Sequence, residues 1–135
     1  GEHHACAMGL TLLSASLGGS ALLTAQPLHS TLYLAARVGA GVADTSTATL
    51  VARTSATSAE RARNLALIQS TRAGARIFTP VLSGYLFERS RRAAVAPGAL
   101  PYLVVASLLA ALVPVPLVLR RVEDATDTAA AAKAP

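Results

Sequence analysis

The stretch that decides the fold is QSTRAGARIFTP, residues 69–80, flanked by LALI (65–68) and VLSGYLF (81–87). The flanks are apolar enough for lipid, yet Arg72 and Arg76 stand one helical turn apart between them. Gln69 precedes them at a spacing of three, so all three polar side chains fall on one side of a helix. On a soluble helix they would belong to a continuous charged face. Here they are a short polar island, the pattern of a membrane helix whose few charges turn toward other helices.

The whole chain has the same bias. Of its 135 residues 53% are hydrophobic and 14% charged, where an ordinary soluble domain carries about 25% charged residues. Four long apolar segments occupy residues 5–25, 28–52, 65–87 and 100–119, each near the ~20 residues needed to cross a bilayer core. The first holds no charge at all. A soluble four-helix bundle would instead show one apolar stripe per helix and a charged opposite face. The expected fold is therefore all-α, a polytopic membrane bundle of four transmembrane helices, with lipid as its surroundings.

The connectors divide the segments. Gln26-Pro27 breaks the first from the second, and Pro27 suits the start of a helix. The polar stretch RTSATSAERARN (53–64) places Ser58 and Arg61 as a helix N-cap and first turn. ERSRRAAVAPG (88–98) is a basic loop closed by Pro and Gly. Residues 1–122 thus form one transmembrane unit. Residues 123–135, acidic and then alanine-rich, are expected to be a disordered tail. Four spans put both ends on one side, and loop arginines and lysines choose which. The ends and the 53–64 loop hold Arg53, Arg61, Arg63, Arg120, Arg121 and Lys133, against Arg89, Arg91 and Arg92 opposite. The excess favours cytoplasmic termini.

A net charge of +5 and a pI of about 10.4 would suit nucleic acid. With 4% aromatic residues, no Trp and several arginines inside apolar runs, no nucleic-acid partner is expected. Cys6 is alone, so no intrachain disulfide forms. His3, His4 and Cys6 stand close, but no further ligand follows at useful spacing. They read as a polar leader, and no metal, cofactor or catalytic residue is expected; the chain reads as non-enzymatic. It begins with Gly1 and has no basic, cleavable leader, which suggests a piece of a longer protein.

The second span carries Arg37 and Asp44, seven residues or about 700° apart and so on one face. Intramembrane charges cost several kcal/mol and mark function by default. Depth follows from the rise of ~1.5 Å per residue. Asp44 sits about 6 Å to the cytoplasmic side of the span's centre near Ala40, and Arg72 about 6 Å to the same side of a centre near Arg76. A bidentate Asp44–Arg72 pair is expected at that depth. It is either a structural lock between two helices or part of a working cycle. Three arginines against one aspartate leave Arg37 and Arg76 uncompensated, to be met by absent carboxylates or an anionic substrate. Thr45, Ser46, Thr47 and Thr49 either line a polar path or bond back to their own helix. Ala35, Gly39, Ala43 and Thr47 make a ridge of small residues suited to packing. Pro80, flanked by Gly74 and Gly84, predicts a kinked or thinly packed third helix.

The run SAERARNLAL followed by STRAGARIFTPVLSGYLF resembles the C-terminal end of a major facilitator superfamily transporter. The resemblance covers residues 5–122 as helices nine to twelve. Thr79-Pro80 stands where the family usually has Gly-Pro, while Gly84 matches its later glycine. The segment AGARIFTP is most similar to the lysosomal and vacuolar branch. The resemblance implies two six-helix bundles working by alternating access, of which this chain is an incomplete C-terminal portion. It implies secondary transport of a small, anionic solute or ion, with the remaining helices of the transporter as partners. Asp44 and Arg72 are then coupling or gating residues, Arg37, Arg76 and Gln69 face the substrate, and Gly74, Pro80 and Gly84 shape the moving helix. The host is a plasma or lysosomal/vacuolar membrane. A small dimeric four-span exporter and a non-transporting membrane scaffold are the alternatives.

Overall fold

The computed structural model describes residues 1–23, 26–93 and 96–131, and every regular element in them is an α-helix. These are α1 (Glu2–Leu22), α2 (Gln26–Thr54), α3 (Ser58–Ser90), α4 (Leu100–Leu112) and α5 (Pro114–Ala131). Each begins or ends for a local reason. Thr57 caps α3 by accepting from the Glu60 amide at 3.1 Å, and Glu60 reaches back to the Ala56 amide at 2.9 Å. This is a T-x-x-E cap in which the glutamate reaches one residue past the N-cap, so the N-cap is Thr57 rather than the expected Ser58. Glu60 decides it, because only from Thr57 does the glutamate fall three residues on.

A single residue, Val113, separates α4 from α5. Pro114 and Pro116 lack the amides that would continue the ladder, and the Val113 amide bonds to Ala110 O at 3.2 Å instead. Beyond Val122 the chain is helical to Ala131, where a disordered tail was expected from residue 123; residues 132–135 of that tail lie outside the described residues. Alanine has the highest helix propensity, and Asp124 pairs with Arg120 one turn before it. The 88–98 loop turns on Ala96 (φ 50) and Gly98 (φ 76). The Gly98 amide returns to Ser90 O at 3.2 Å, and a Cβ on Gly98 would sit 2.5 Å from the Phe87 ring. Gly98→Ala is therefore expected to lower stability by about 1–3 kcal/mol through strain and overlap, read as a fall in melting temperature. An unchanged value would mean that the loop does not pack on Phe87.

The tightest packing lies between α1 and α2. A Cβ on Gly9 would meet Ala43 N at 2.7 Å and Gly39 O at 2.8 Å, and one on Gly39 would meet Leu13 N at 2.8 Å. The two backbones touch there because neither glycine has a side chain. On α2 the buried residues are Ala36, Gly39, Ala43 and Ser46. Gly39 and Ala43 of the expected ridge are buried there and Thr47 touches Cys6 of α1, while the buried set follows the three–four alternation of a 3.6-residue turn rather than strict steps of four. α1 also packs on α4 and α5, and Ser14 Oγ donates to Ala106 O at 2.8 Å.

Helix α3 is different. It buries none of its residues, and Ile77, Phe78 and Val81 are each at least 70% exposed. Among the described residues no large side chain is fully buried. The surface amounts to 9440 Å², whereas a folded monomer of 13.7 kDa exposes about 6,600 Å². The apolar surface is thus turned outward, and water is a poor solvent for it.

Among the described residues two helices are long and apolar enough to cross a membrane, judged by length and composition alone: Glu2–Leu22 (mean hydropathy 1.5) and Leu100–Thr126 (2.4). A core helix of a soluble protein passes the same test, but would be mostly buried; these windows are 28% and 11% buried. Helices α2 and α3 fall short of the expected four-span hydropathy. Arg37, Asp44 and a run of hydroxyls dilute α2, and Arg72, Arg76 and the charged first turns dilute α3.

Candidate functional site

Of the residues singled out in the sequence, Asp44 and Arg72 meet where α3 passes α2. Arg72 Nη2 donates to Asp44 Oδ1 at 2.7 Å, across 28 positions of chain. Antiparallel helices bring these two to one level because rise per residue is constant. The pair is joined by one hydrogen bond instead of the expected bidentate fork. The carboxylate side chain is 65% exposed and the guanidinium 35%. The second Asp44 oxygen has no recorded partner among the described residues.

Arg76 lies one turn from Arg72, about 40° around α3. Antiparallel to it on α2 is residue 40, only three positions from Arg37, or about 4.5 Å along the axis. Both arginines are exposed, and among the described residues neither takes part in an ion pair. Gln69 is exposed on the same side of α3. By helix rise, Arg37 and Arg76 thus fall within about two turns of the Asp44–Arg72 pair, and neither has an ion-pair partner among the described residues.

Several other residues have different roles from those open at the sequence level. Thr45, Thr47 and Thr49 donate to Gly41 O, Ala43 O and Thr45 O at 2.7 to 2.9 Å. Their hydroxyls are satisfied within α2, and Ser46 is buried; the polar-path reading is not what the geometry gives. Pro80 sits inside α3, which continues through it without a break. Nothing lies within 4 Å of a Cβ on Gly74 or Gly84, so both glycines face open space.

The polar end of the molecule was not foreseen as a network. Arg53 Nη1 donates to Glu2 Oε1 at 2.6 Å, and His3 Nε2 lies 3.5 Å from Glu123 Oε2. Arg120 donates to His4 Nε2 and faces Asp124 at 3.6 Å. This ties the start of α1 to the end of α2 and the middle of α5, around a polar cleft of 360 Å³. Cys6 is buried, its Sγ 3.7 Å from Thr47 Oγ1, so it does not join the histidines. Sequence spacing alone cannot show these pairings, which depend on how three helix ends converge.

No protein-family model, curated protein or solved structure matches the chain in the comparisons made.

Proposed function

We propose that the chain is the C-terminal four-helix portion of a secondary transporter of the major facilitator type, moving a small anionic solute by alternating access. The observation that carries this reading is the groove between α2 and α3. Along it Arg37 and Arg76 stand without carboxylates among the described residues, within about two turns of the Asp44–Arg72 pair by helix rise. Inside a bilayer two such charges are costly unless an anion or a protein carboxylate meets them. In this reading all four rods span, α2 and α3 included. Their lower hydropathy is the price of a polar site at mid-depth, as in transporters that bind at the midplane. The exposed flank of α3 and the excess surface are what a half-built bundle would show before its remaining helices pack on it. The protein works without catalytic residues or cofactors, in a plasma or lysosomal/vacuolar membrane, with its termini in the cytoplasm.

The groups present supply the binding part of the mechanism. An anion entering the groove is held by Arg37 and Arg76, with Gln69 as a neutral donor. Asp44 either keeps Arg72 or releases it, and its free oxygen is available to a coupling proton or cation. Rocking of one bundle on the other then exposes the site to the second side.

The test is uptake by the full-length protein in liposomes, using inorganic phosphate, a dicarboxylate and an acidic amino acid as labelled probes. At least one is expected to accumulate, and Arg76→Gln is expected to cut that uptake at least tenfold with unchanged membrane yield. Uptake unaffected by both Arg76→Gln and Arg37→Gln would exclude an anion site in this groove. The isolated 135-residue chain is expected to carry none of the three, and transport by it would favour the small dimeric exporter.

A further inference from the structure

A second feature lies at the other end of α3. An apolar crevice of 410 Å³ is bounded by Leu17 of α1, Gly84 and Phe87 of α3, and Tyr102 and Val105 of α4. Gly84 leaves it open, since nothing lies within 4 Å of a Cβ there. Gly84, Phe87 and Arg91 follow at spacings of three and four, so Arg91, the C-cap of α3, falls on the same face one turn beyond the crevice. The turn at Gly98 packs on the Phe87 ring and fixes this rim.

The rim is basic. Arg89, Arg91 and Arg92 are all exposed, against one carboxylate, Glu88, which lies 3.1 Å from Arg91. Arg89 donates to Tyr85 Oη at 3.2 Å, and Arg92 takes part in no ion pair among the described residues. The level is that of a membrane surface. Tyr85 is nine residues from Arg76, about 14 Å from the middle of the span, where the hydrocarbon ends. Tyr33, near the start of α2, and Tyr102, near the start of α4, lie toward the same end, as tyrosines do at an interface. Three arginines on the side opposite the cytoplasmic loops run against the usual distribution and call for a counter-charge held in place.

We propose that the crevice between α1, α3 and α4, with Arg91 and Arg92 at its rim, is a binding site for a phospholipid of net negative headgroup. An acyl chain lies along Phe87, Tyr102 and Val105 in continuity with the bilayer, and the phosphate meets the two arginines. The zwitterionic lipids fit the crevice equally well but bring no surplus charge to answer the rim. This inference rests on the membrane-spanning reading above, though not on transport.

The experiment measures melting temperature of the full-length protein in uncharged detergent, titrated with phosphatidylglycerol, phosphatidylcholine of the same chains, or inorganic phosphate. Phosphatidylglycerol is expected to raise the melting temperature at a lower concentration than phosphatidylcholine. The double variant R91Q/R92Q is expected to need at least about tenfold more of it, while R61Q/R63Q at the opposite end behaves as the parent. Val105→Phe, which fills the crevice and spares the rim, is expected to reduce the same preference. Equal stabilisation by both lipids, or a preference unchanged in R91Q/R92Q, overturns the proposal. So does an equal effect of inorganic phosphate, which would make the rim a plain anion site. Recovery of the protein in the soluble fraction without detergent would instead overturn the membrane reading itself.

Discussion

Gly39→Val is expected to separate α1 from α2 and to cost about 3 kcal/mol of stability. A Cβ at this position already falls 2.8 Å from Leu13 N and 2.9 Å from Gly9 O. Those are backbone atoms, which cannot rotate away as a side chain would. The two branches of valine add to the overlap, so the helices must move apart along the face that holds Ala36, Ala43 and Ser46. The control lies two residues on, where nothing is within 4 Å of a Cβ on Gly41. Gly41→Val is expected to stay within about 0.5 kcal/mol of the parent. Unfolding in mixed micelles measures both. Equal losses for the two variants would show that α1 and α2 do not cross at Gly9 and Gly39.

Asp44→Ala is expected to be nearly as damaging, for an electrostatic reason. It leaves Arg72 as a third uncompensated guanidinium in the groove, and an unpaired arginine at mid-bilayer costs about 3 kcal/mol. The same pair in water, with its carboxylate 65% exposed, would contribute less than ~1 kcal/mol. The size of the effect thus separates a pair in lipid from a pair in solvent. Asp44→Arg combined with Arg72→Asp restores the pair and is expected to restore membrane yield. In a scaffold it would restore everything. In a transporter the carboxylate now stands on the wrong helix, and uptake is expected to stay below about a tenth of the parent.

How far the sequence reaches can be seen in these same residues. The Asp44–Arg72 contact was legible because depth depends only on rise per residue, which all helices share. Its single hydrogen bond was not, since that depends on how far α3 stands from α2. Gly39 was visible within a small-residue ridge. Its partner Gly9 was hidden in an uncharged apolar run, where no pattern marks which glycine touches another helix. The start of α3 shifted by one residue because the T-x-x-E cap at Thr57 and Glu60 outweighs a serine alone. Helix at 123–131 was missed by giving the acidic composition more weight than alanine's propensity. The hydropathy of α2 and α3 was overestimated from the apolar flanks around their charges. The His3, His4, Arg53, Arg120 and Glu123 network and the crevice beside Phe87 needed three converging helices to exist at all.

The central claim is that α2 and α3 cross the membrane along with the two more apolar rods. If only α1 and the α4–α5 rod crossed, residues 23–99 would all lie on one side. Single cysteines at Ala59→Cys and Ala93→Cys, in a Cys6→Ser background, decide between these arrangements. Both positions are exposed and lie at opposite ends of α3. Intact cells that carry the protein in their plasma membrane, treated with a membrane-impermeant maleimide, are expected to label position 93 and to leave position 59 unlabelled until the membrane is opened. Labelling of both positions, or of neither, in intact cells would contradict the four-span account.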